Sequence, residues 1–174
     1  MVTSPTGNRG FTLLELMFVM AITVLLSGAA AVALRPALED ARLRAATRMV
    51  VASLRYARSY AVAHHTEAEV VVEVQTPALS VQAQTTDSGG EKNWETLTTS
   101  AGRRRVFPPG IRVIPAAEAG SLISPTSLEE FTVTFSMLGR TDSTELLVSD
   151  AHGNERDLVV DGVTGRCGLA EEEQ

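Results

Sequence analysis

The sequence predicts an α+β fold in which one long amino-terminal helix, apolar at first and amphipathic later, packs on an antiparallel β-sheet domain. Three observations lead there. Residues 16–34 are 19 positions without a charge. From there to about Ala63, apolar residues recur at spacings of three and four. After residue 65 the apolar period falls to two, and short runs are separated by turns rich in Gly, Pro and Asp.

The 174 residues carry 15 basic and 21 acidic side chains, a net charge of -6, and 44% are hydrophobic. That balance gives one domain with a sizeable core and excludes global disorder. It also argues against a surface built throughout to hold nucleic acid. A single cysteine, Cys167, excludes an internal disulfide and a thiolate zinc cluster. The three histidines, His64, His65 and His152, match no zinc-helix spacing, so neither a metal nor another cofactor is expected.

At about 1.5 Å per residue, residues 16–34 span roughly 28 Å as a helix, close to the hydrocarbon thickness of a bilayer. One reading is a transmembrane anchor. A second is a cleaved signal peptide, with Arg9 as its basic region, residues 16–26 as its apolar core and Ala29-Ala30-Ala31 as its cleavage site. Glu15 suits neither. A carboxylate at the entrance of an apolar run costs roughly 2.5–3.5 kcal/mol in hydrocarbon and is normally paired or functional.

Pro36 follows the apolar run and removes a helical hydrogen bond, so a kink is expected over residues 32–36. Beyond it Leu43, Ala46, Val50, Leu54, Ala57 and Ala61 share one helix face, and Arg44, Arg48, Arg55 and Arg58 fall on another. Residues 35–58 hold six arginines against two acids, whereas residues 59–174 hold eight bases against 18 acids. Phospholipid headgroups, an acidic neighbouring domain or plain solvent would each suit that arginine stripe. Strands are expected at 68–74, 79–84, 94–98, 111–114, 131–136, 146–149 and 158–160, joined mostly as antiparallel hairpins. Residues 116–130 read as a long loop and residues 171–174 as a short acidic tail.

The segment Arg9-Gly10-Phe11-Thr12-Leu13-Leu14-Glu15-Leu16 resembles the type IV prepilin processing motif. The resemblance implies cleavage by a prepilin peptidase after Gly10 and N-methylation of the new terminus, Phe11, with Glu15 fifth in the mature chain. It divides the chain into a leader (1–10), a transmembrane and filament-core helix (11–35), the amphipathic second half of that helix (36–65) and a periplasmic β-rich domain (66–174). In stacked subunits Glu15 would pair with a neighbour's terminal amine. Two charges buried together avoid the cost that either bears alone in an apolar bundle.

Further on, Leu54, Ala57-Arg58 and Ala61 within helix 45–63, the strand Val70-Val71-Val72, and the closing pattern Phe135-Ser136, Gly139-Arg140 and Gly165-Arg166 are similar to the minor-pilin group GspH/FimT. This likeness is strongest over residues 9–34 and weakest between 85 and 130. It implies a pilin-like structural subunit rather than an enzyme: a minor pseudopilin of type II secretion near the pseudopilus tip, helping to export folded proteins. Its location would be the bacterial inner membrane, single-pass, with its carboxyl-terminal domain in the periplasm, and the pseudopilus after assembly. Its partners would be the prepilin peptidase, other minor pseudopilins and the major pseudopilin. The alternative within the group is a FimT-like minor pilin of type IV pili, serving pilus assembly or DNA uptake.

Other chemistry is weaker. Asp87-Ser88-Gly89-Gly90 is reminiscent of a serine-protease nucleophile segment but lacks a positioned base, and reads as a hairpin turn. A secreted enzyme released by signal peptidase is the third reading, and a mature start near Val32 would support it. His64-His65 reads as a helix end, and Asp142, Asp150, Asp157 and Asp161 as turn formers rather than a calcium loop. Cys167 reads as a buried thiol. Arg103, Arg104 and Arg105 would suit phosphates, with Arg166 as a fourth anion contact, but a solvated loop is the default for the triplet. The resemblance implies a Gly-Arg-x-Arg motif in DNA-binding relatives. Here Gly165-Arg166-Cys167-Gly168 lacks its second arginine, and Glu171, Glu172 and Glu173 follow.

Overall fold

The computed structural model describes residues 11–87, 89–119 and 129–170. Its first element is helix α1, Leu13–His64, with Pro36 inside it. The proline does not end the helix. Two compact units divide the chain, one up to Glu39 and one from Asp40 onward, so α1 contributes to both.

In the first unit, Thr12 begins the helix. Its hydroxyl accepts a hydrogen bond from the Glu15 amide at 3.2 Å, and its carbonyl accepts the first helical bond, from Leu16. This is the Ser/Thr amino-terminal cap that satisfies an otherwise orphaned amide. All side chains from 11 to 30 are exposed, including Phe11 at 80% and Leu25 at 74%. Hydroxyls in the apolar stretch bond back to the helix: Thr23 donates to the Val19 and Met20 carbonyls, and Ser27 to that of Thr23.

Among the described residues, the second unit comprises the rest of α1, nine strands and one short helix. Strands β1 (Ala68–Glu73), β2 (Ala78–Thr86), β3 (Lys92–Thr96) and β6 (Glu130–Phe135) form one sheet in the order β3-β2-β1-β6, with β4 (Arg105–Val106) also on β2. Strands β5 (Arg112–Pro115), β7 (Thr144–Ser149), β8 (Glu155–Val160) and β9 (Cys167–Leu169) form a second sheet in that order. Every pairing is antiparallel. Helix α2 (Ala116–Ala119) follows β5.

One hydrophobic cluster joins both sheets to α1. The six expected helix positions, Leu43, Ala46, Val50, Leu54, Ala57 and Ala61, are all buried. They meet Val70, Val72, Leu79, Val81, Val133 and Phe135 from the first sheet and Val113, Leu146, Val148, Leu158 and Val160 from the second. Registers such as Val70 opposite both Val81 and Val133 keep these residues on one face.

The seven expected strands are present, with ends shifted by at most three residues. Two short strands, β4 and β9, were not expected. The expected loop 116–130 is corrected at both ends: Ala116–Ala119 is helical and Glu130 belongs to β6, while 120–128 lie outside the described residues. Asp157, expected in a turn, lies within β8. Periodicity cannot register elements of two to four residues, because their hydrogen bonds come from distant segments. The carboxyl end of α1 lies at the two histidines. His64 is its last residue, its Nδ1 lies 3.1 Å from the Tyr60 carbonyl oxygen, and its ring stacks on Tyr60 at 3.9 Å. His65 takes φ 48°, and the Thr66 amide closes the end by donating to the Ala61 carbonyl.

Candidate functional site

The apolar entry of α1 contains one charge. Among the described residues, Glu15 accepts no hydrogen bond at its carboxylate and has no ion-pair partner. It stands at the head of an uncharged stretch whose side chains are exposed from 16 to 30, on a helix with a window long and apolar enough to cross a membrane. In water such a segment exposes more apolar surface than a soluble monomer normally tolerates, so lipid or neighbouring helices must cover it. Once covered, an ionised carboxylate is costly unless it is paired or hydrogen-bonded. Phe11 is exposed four positions ahead of it, whereas Arg9 and Gly10 lie outside the described residues. The Thr12-to-Glu15 spacing is also a helix-start signature, and its Thr12 half is formed. That local cue, S/T-x-x-E before an apolar run, was available in the sequence.

The arginine triplet is not a uniform solvated loop. Arg104 makes a bidentate contact to Glu73, with Nε to Oε1 and Nη2 to Oε2 both 2.6 Å. Those bonds, with one from Thr76, hold the Glu73 carboxyl down to about 2. Arg105 belongs to strand β4 and is half-buried against α1. Its Nη2 donates to the Ser53 hydroxyl and, at 3.2 Å, to the Ala101 carbonyl, while its buried Nε has no partner. Burial, followed by the charge of Arg103, lowers its pKa. Only Arg103 of the three matches the solvated reading. Arg166, exposed in the turn before β9, belongs to the second sheet, whereas Arg105 lies on β4 of the first. No local signal in the sequence marks Ser53 or Glu73, because each bonds a residue at least 31 positions away.

The helix stripe also separates into roles. Arg44 pairs with Asp40 at 2.5 Å, and Asp40 reaches Arg156 of β8 at 3.5 Å. Arg55 contacts the Cys167 carbonyl and Arg58 the Gly139 carbonyl, each at 3.4 Å. Arg48 is exposed. Gly139 (φ 73°) and Gly165 (φ 63°) bring two turns together beside Arg58, so the closing Gly-Arg pairs of the sequence become neighbours at their glycines. Cys167 is buried, and its thiol points to the Val51 carbonyl at 3.7 Å.

The remaining acids behave as turn formers at two positions. Asp150 accepts from the His152 and Asn154 amides, and Asp161 from the Thr164 amide and hydroxyl. These bonds lower both pKa values, led by the Asn154 side chain for Asp150 and the Thr164 amide for Asp161. Asp87 lies in the β2–β3 turn, where the Gly90 amide donates to its carbonyl; Ser88 lies outside the described residues. Among the described residues no group of His, Cys, Asp and Glu is arranged to hold a metal.

Two family models match the chain. A prokaryotic N-terminal methylation motif covers residues 6–31, and Type II transport protein GspH covers residues 46–165, more than half of the chain. No curated protein matches it. Two structures of the minor pseudopilin EpsH from the type II secretion system of Vibrio cholerae share its fold at 13% identity. One has a TM-score of 0.53 and covers 76% of this chain and 99% of EpsH; the other has 0.52, 76% and 94%. The type IV minor pilin FimU of Pseudomonas aeruginosa aligns at 15% identity and a TM-score of 0.48, over 81% of this chain and 94% of FimU.

Proposed function

The chain belongs to the GspH family of type II transport proteins, and from that membership we propose that it is a minor pseudopilin, a structural subunit of a type II secretion pseudopilus that helps export folded proteins. Residues 1–10 are the leader, cut between Gly10 and Phe11 by the prepilin peptidase, and Phe11 is the methylated terminus. Residues 11–35 hold the subunit in the bacterial inner membrane and later pack in the filament core. The amphipathic half of the helix, 36–65, and the β-rich domain, 66–174, lie in the periplasm and meet other minor pseudopilins and the major one. The subunit has no catalytic role.

The unpartnered carboxylate of Glu15 carries this reading. Held alone among apolar helices it is costly, and a neighbour's amine at Phe11 removes that cost. Replacing Glu15 with Ala should leave membrane insertion intact while the chain is lost from assembled pseudopili. Normal incorporation of Glu15→Ala chains would refute the pairing. Mass spectrometry of the mature protein should find methylated Phe11 first; a start near residue 32 would instead identify a signal peptide.

The DNA-uptake alternative relies on Arg103, Arg104, Arg105 and Arg166. Two of them are engaged within the chain, Arg104 by Glu73 and Arg105 by Ser53, which leaves Arg103 and Arg166 for phosphates. A salt-sensitive gel shift abolished by changing Arg103 would favour that reading over export.

A further inference from the structure

Two turns of the second unit carry apolar side chains at their crests. In the first, the Gly139 amide donates to the Ser136 carbonyl at 2.8 Å, which leaves Met137 and Leu138 in the two central positions. In the second, the Gly165 amide donates to the Asp161 carbonyl at 2.7 Å over a segment centred on Val163. Such positions usually hold Gly, Pro, Asn, Asp or Ser. Leu138 is 74% and Val163 73% exposed, and Met137 is exposed beside them, so their apolar surface adds little to the stability of the fold. The turns are fixed side by side. The Thr141 amide donates to the Gly162 carbonyl at 3.0 Å, the Gly162 amide donates to the Ser143 hydroxyl at 3.0 Å, and Arg58 of α1 bonds the Gly139 carbonyl. Val62, exposed near the end of α1, stands beside Gly139. Arg140 and Arg166 follow the two turns, both exposed and without an ion-pair partner among the described residues. The acids closest in sequence are Asp142 and Asp161, and the Asp161 carboxylate is taken up by Thr164.

Apolar crests held on a rigid base, with arginines at the rim, have the composition of a protein-binding surface, where Met and Arg are enriched and little ordering is needed on contact. The arginines decide what covers it. A second copy presenting the same patch would bring its own Arg140 and Arg166 against these, and like charges repel. A phosphate backbone would suit the arginines but would leave Leu138 and Val163 in water. The bilayer is disfavoured by position: about 33 Å of helix separate Val62 from Asp40, where the chain enters this unit. We propose that the crests at Met137, Leu138 and Val163 dock on the periplasmic domain of a different pilin-like chain, at an apolar surface bearing carboxylates for Arg140 and Arg166. This rests on the minor-pseudopilin reading and names the surface which that reading uses. Such a contact ends at the partner and needs no repeat of this chain.

The test uses the full-length chain in the cells that make it, with Leu138 or Val163 exchanged for the photo-cross-linker p-benzoylphenylalanine. The same exchange at Asn93, exposed on β3, gives the background. Irradiation should join positions 138 and 163 to one chain that carries its own prepilin motif. Mass spectrometry should place the cross-link in that chain's periplasmic domain, within a few residues of an Asp or Glu. In the chain probed at 138, Val163→Asp should cut the adduct about tenfold, Arg140→Glu about fivefold and Arg140→Lys less than about twofold. Circular dichroism should show unchanged melting for all three variants, because the altered side chains are exposed. Adducts only to lipid, nucleic acid or a second copy, an adduct indifferent to both Val163→Asp and Arg140→Glu, or no adduct above background would overturn the proposal. In those cases methylated Phe11 in the same cells leaves the pseudopilin reading standing, whereas a chain that retains residues 1–10 removes both.

Discussion

Replacing Gly165 with alanine probes how the two carboxyl-terminal turns are held against α1. Gly165 has φ 63°, where a side chain costs roughly 1–2 kcal/mol in any surroundings. A Cβ there would also fall against the Gly139 carbonyl oxygen and within 2.9 Å of the Arg58 Cδ and Nε. The first obstacle is backbone and cannot rotate away, so the turns must separate at a further cost of about 1–3 kcal/mol. Gly153 supplies the control: its φ is 84°, and a Cβ would meet nothing within 4 Å. Gly153→Ala should therefore lose about 1–2 kcal/mol and Gly165→Ala about 2–5 kcal/mol. For a chain of this length the gap is roughly 2–12 °C in Tm. Thermal unfolding of both variants in the same detergent, followed by circular dichroism, measures it. Equal losses would show that only the left-handed backbone matters, and that the packing of the turns on Arg58 contributes nothing.

Three other outcomes follow from the same packing. The Glu73 carboxyl lies below its ordinary 4.5, at about 2, because Arg104 holds its charged form. Its contribution is therefore complete above about pH 4.5 and is lost as pH falls toward 2. The pair lies near the surface, so solvent screening keeps the contribution modest. Urea titrations should show Glu73→Gln removing part of the acid slope in that window, and an unchanged slope would refute the assignment. Leu54, 1% exposed at the centre of the core, should cost about 2–5 kcal/mol when truncated to Ala; a loss under 1 kcal/mol in denaturant titration would mean the helix is not seated as described. Ser53→Ala removes an acceptor from the half-buried Arg105 guanidinium and should cost about 1–3 kcal/mol. Adding Arg105→Met should recover most of that loss, and strictly additive effects in the double-mutant cycle would exclude the contact.

The helix was legible in the sequence because its information is local. Six apolar positions at three- and four-residue spacing, Leu43 through Ala61, foretold the buried face, and all six lie in the core. Strands with clear alternation, such as Ala68–Glu73, were legible for the same reason. The arginines were not. Arg44, Arg48, Arg55 and Arg58 look alike as a stripe, yet one pairs with Asp40, one contacts a β9 carbonyl, one a turn carbonyl and one remains in solvent. Arg104 and Arg105 are adjacent in sequence, and one pairs with Glu73 at the surface while the other is half-buried and reaches Ser53 on α1. A cation's role depends on which distant oxygen the fold delivers to it, and no spacing rule encodes that.

By itself, the sequence determined the apolar helix with its single carboxylate, the amphipathic half that follows, and the alternating strands, because each depends on neighbours within a few residues. Tertiary structure alone decided that the strands divide into two sheets, that Gly139 and Gly165 meet beside Arg58, and that the acids of β7 and β8 face away from the helix. Those outcomes depend on long-range register and on which surfaces exclude water together, and a linear pattern carries neither.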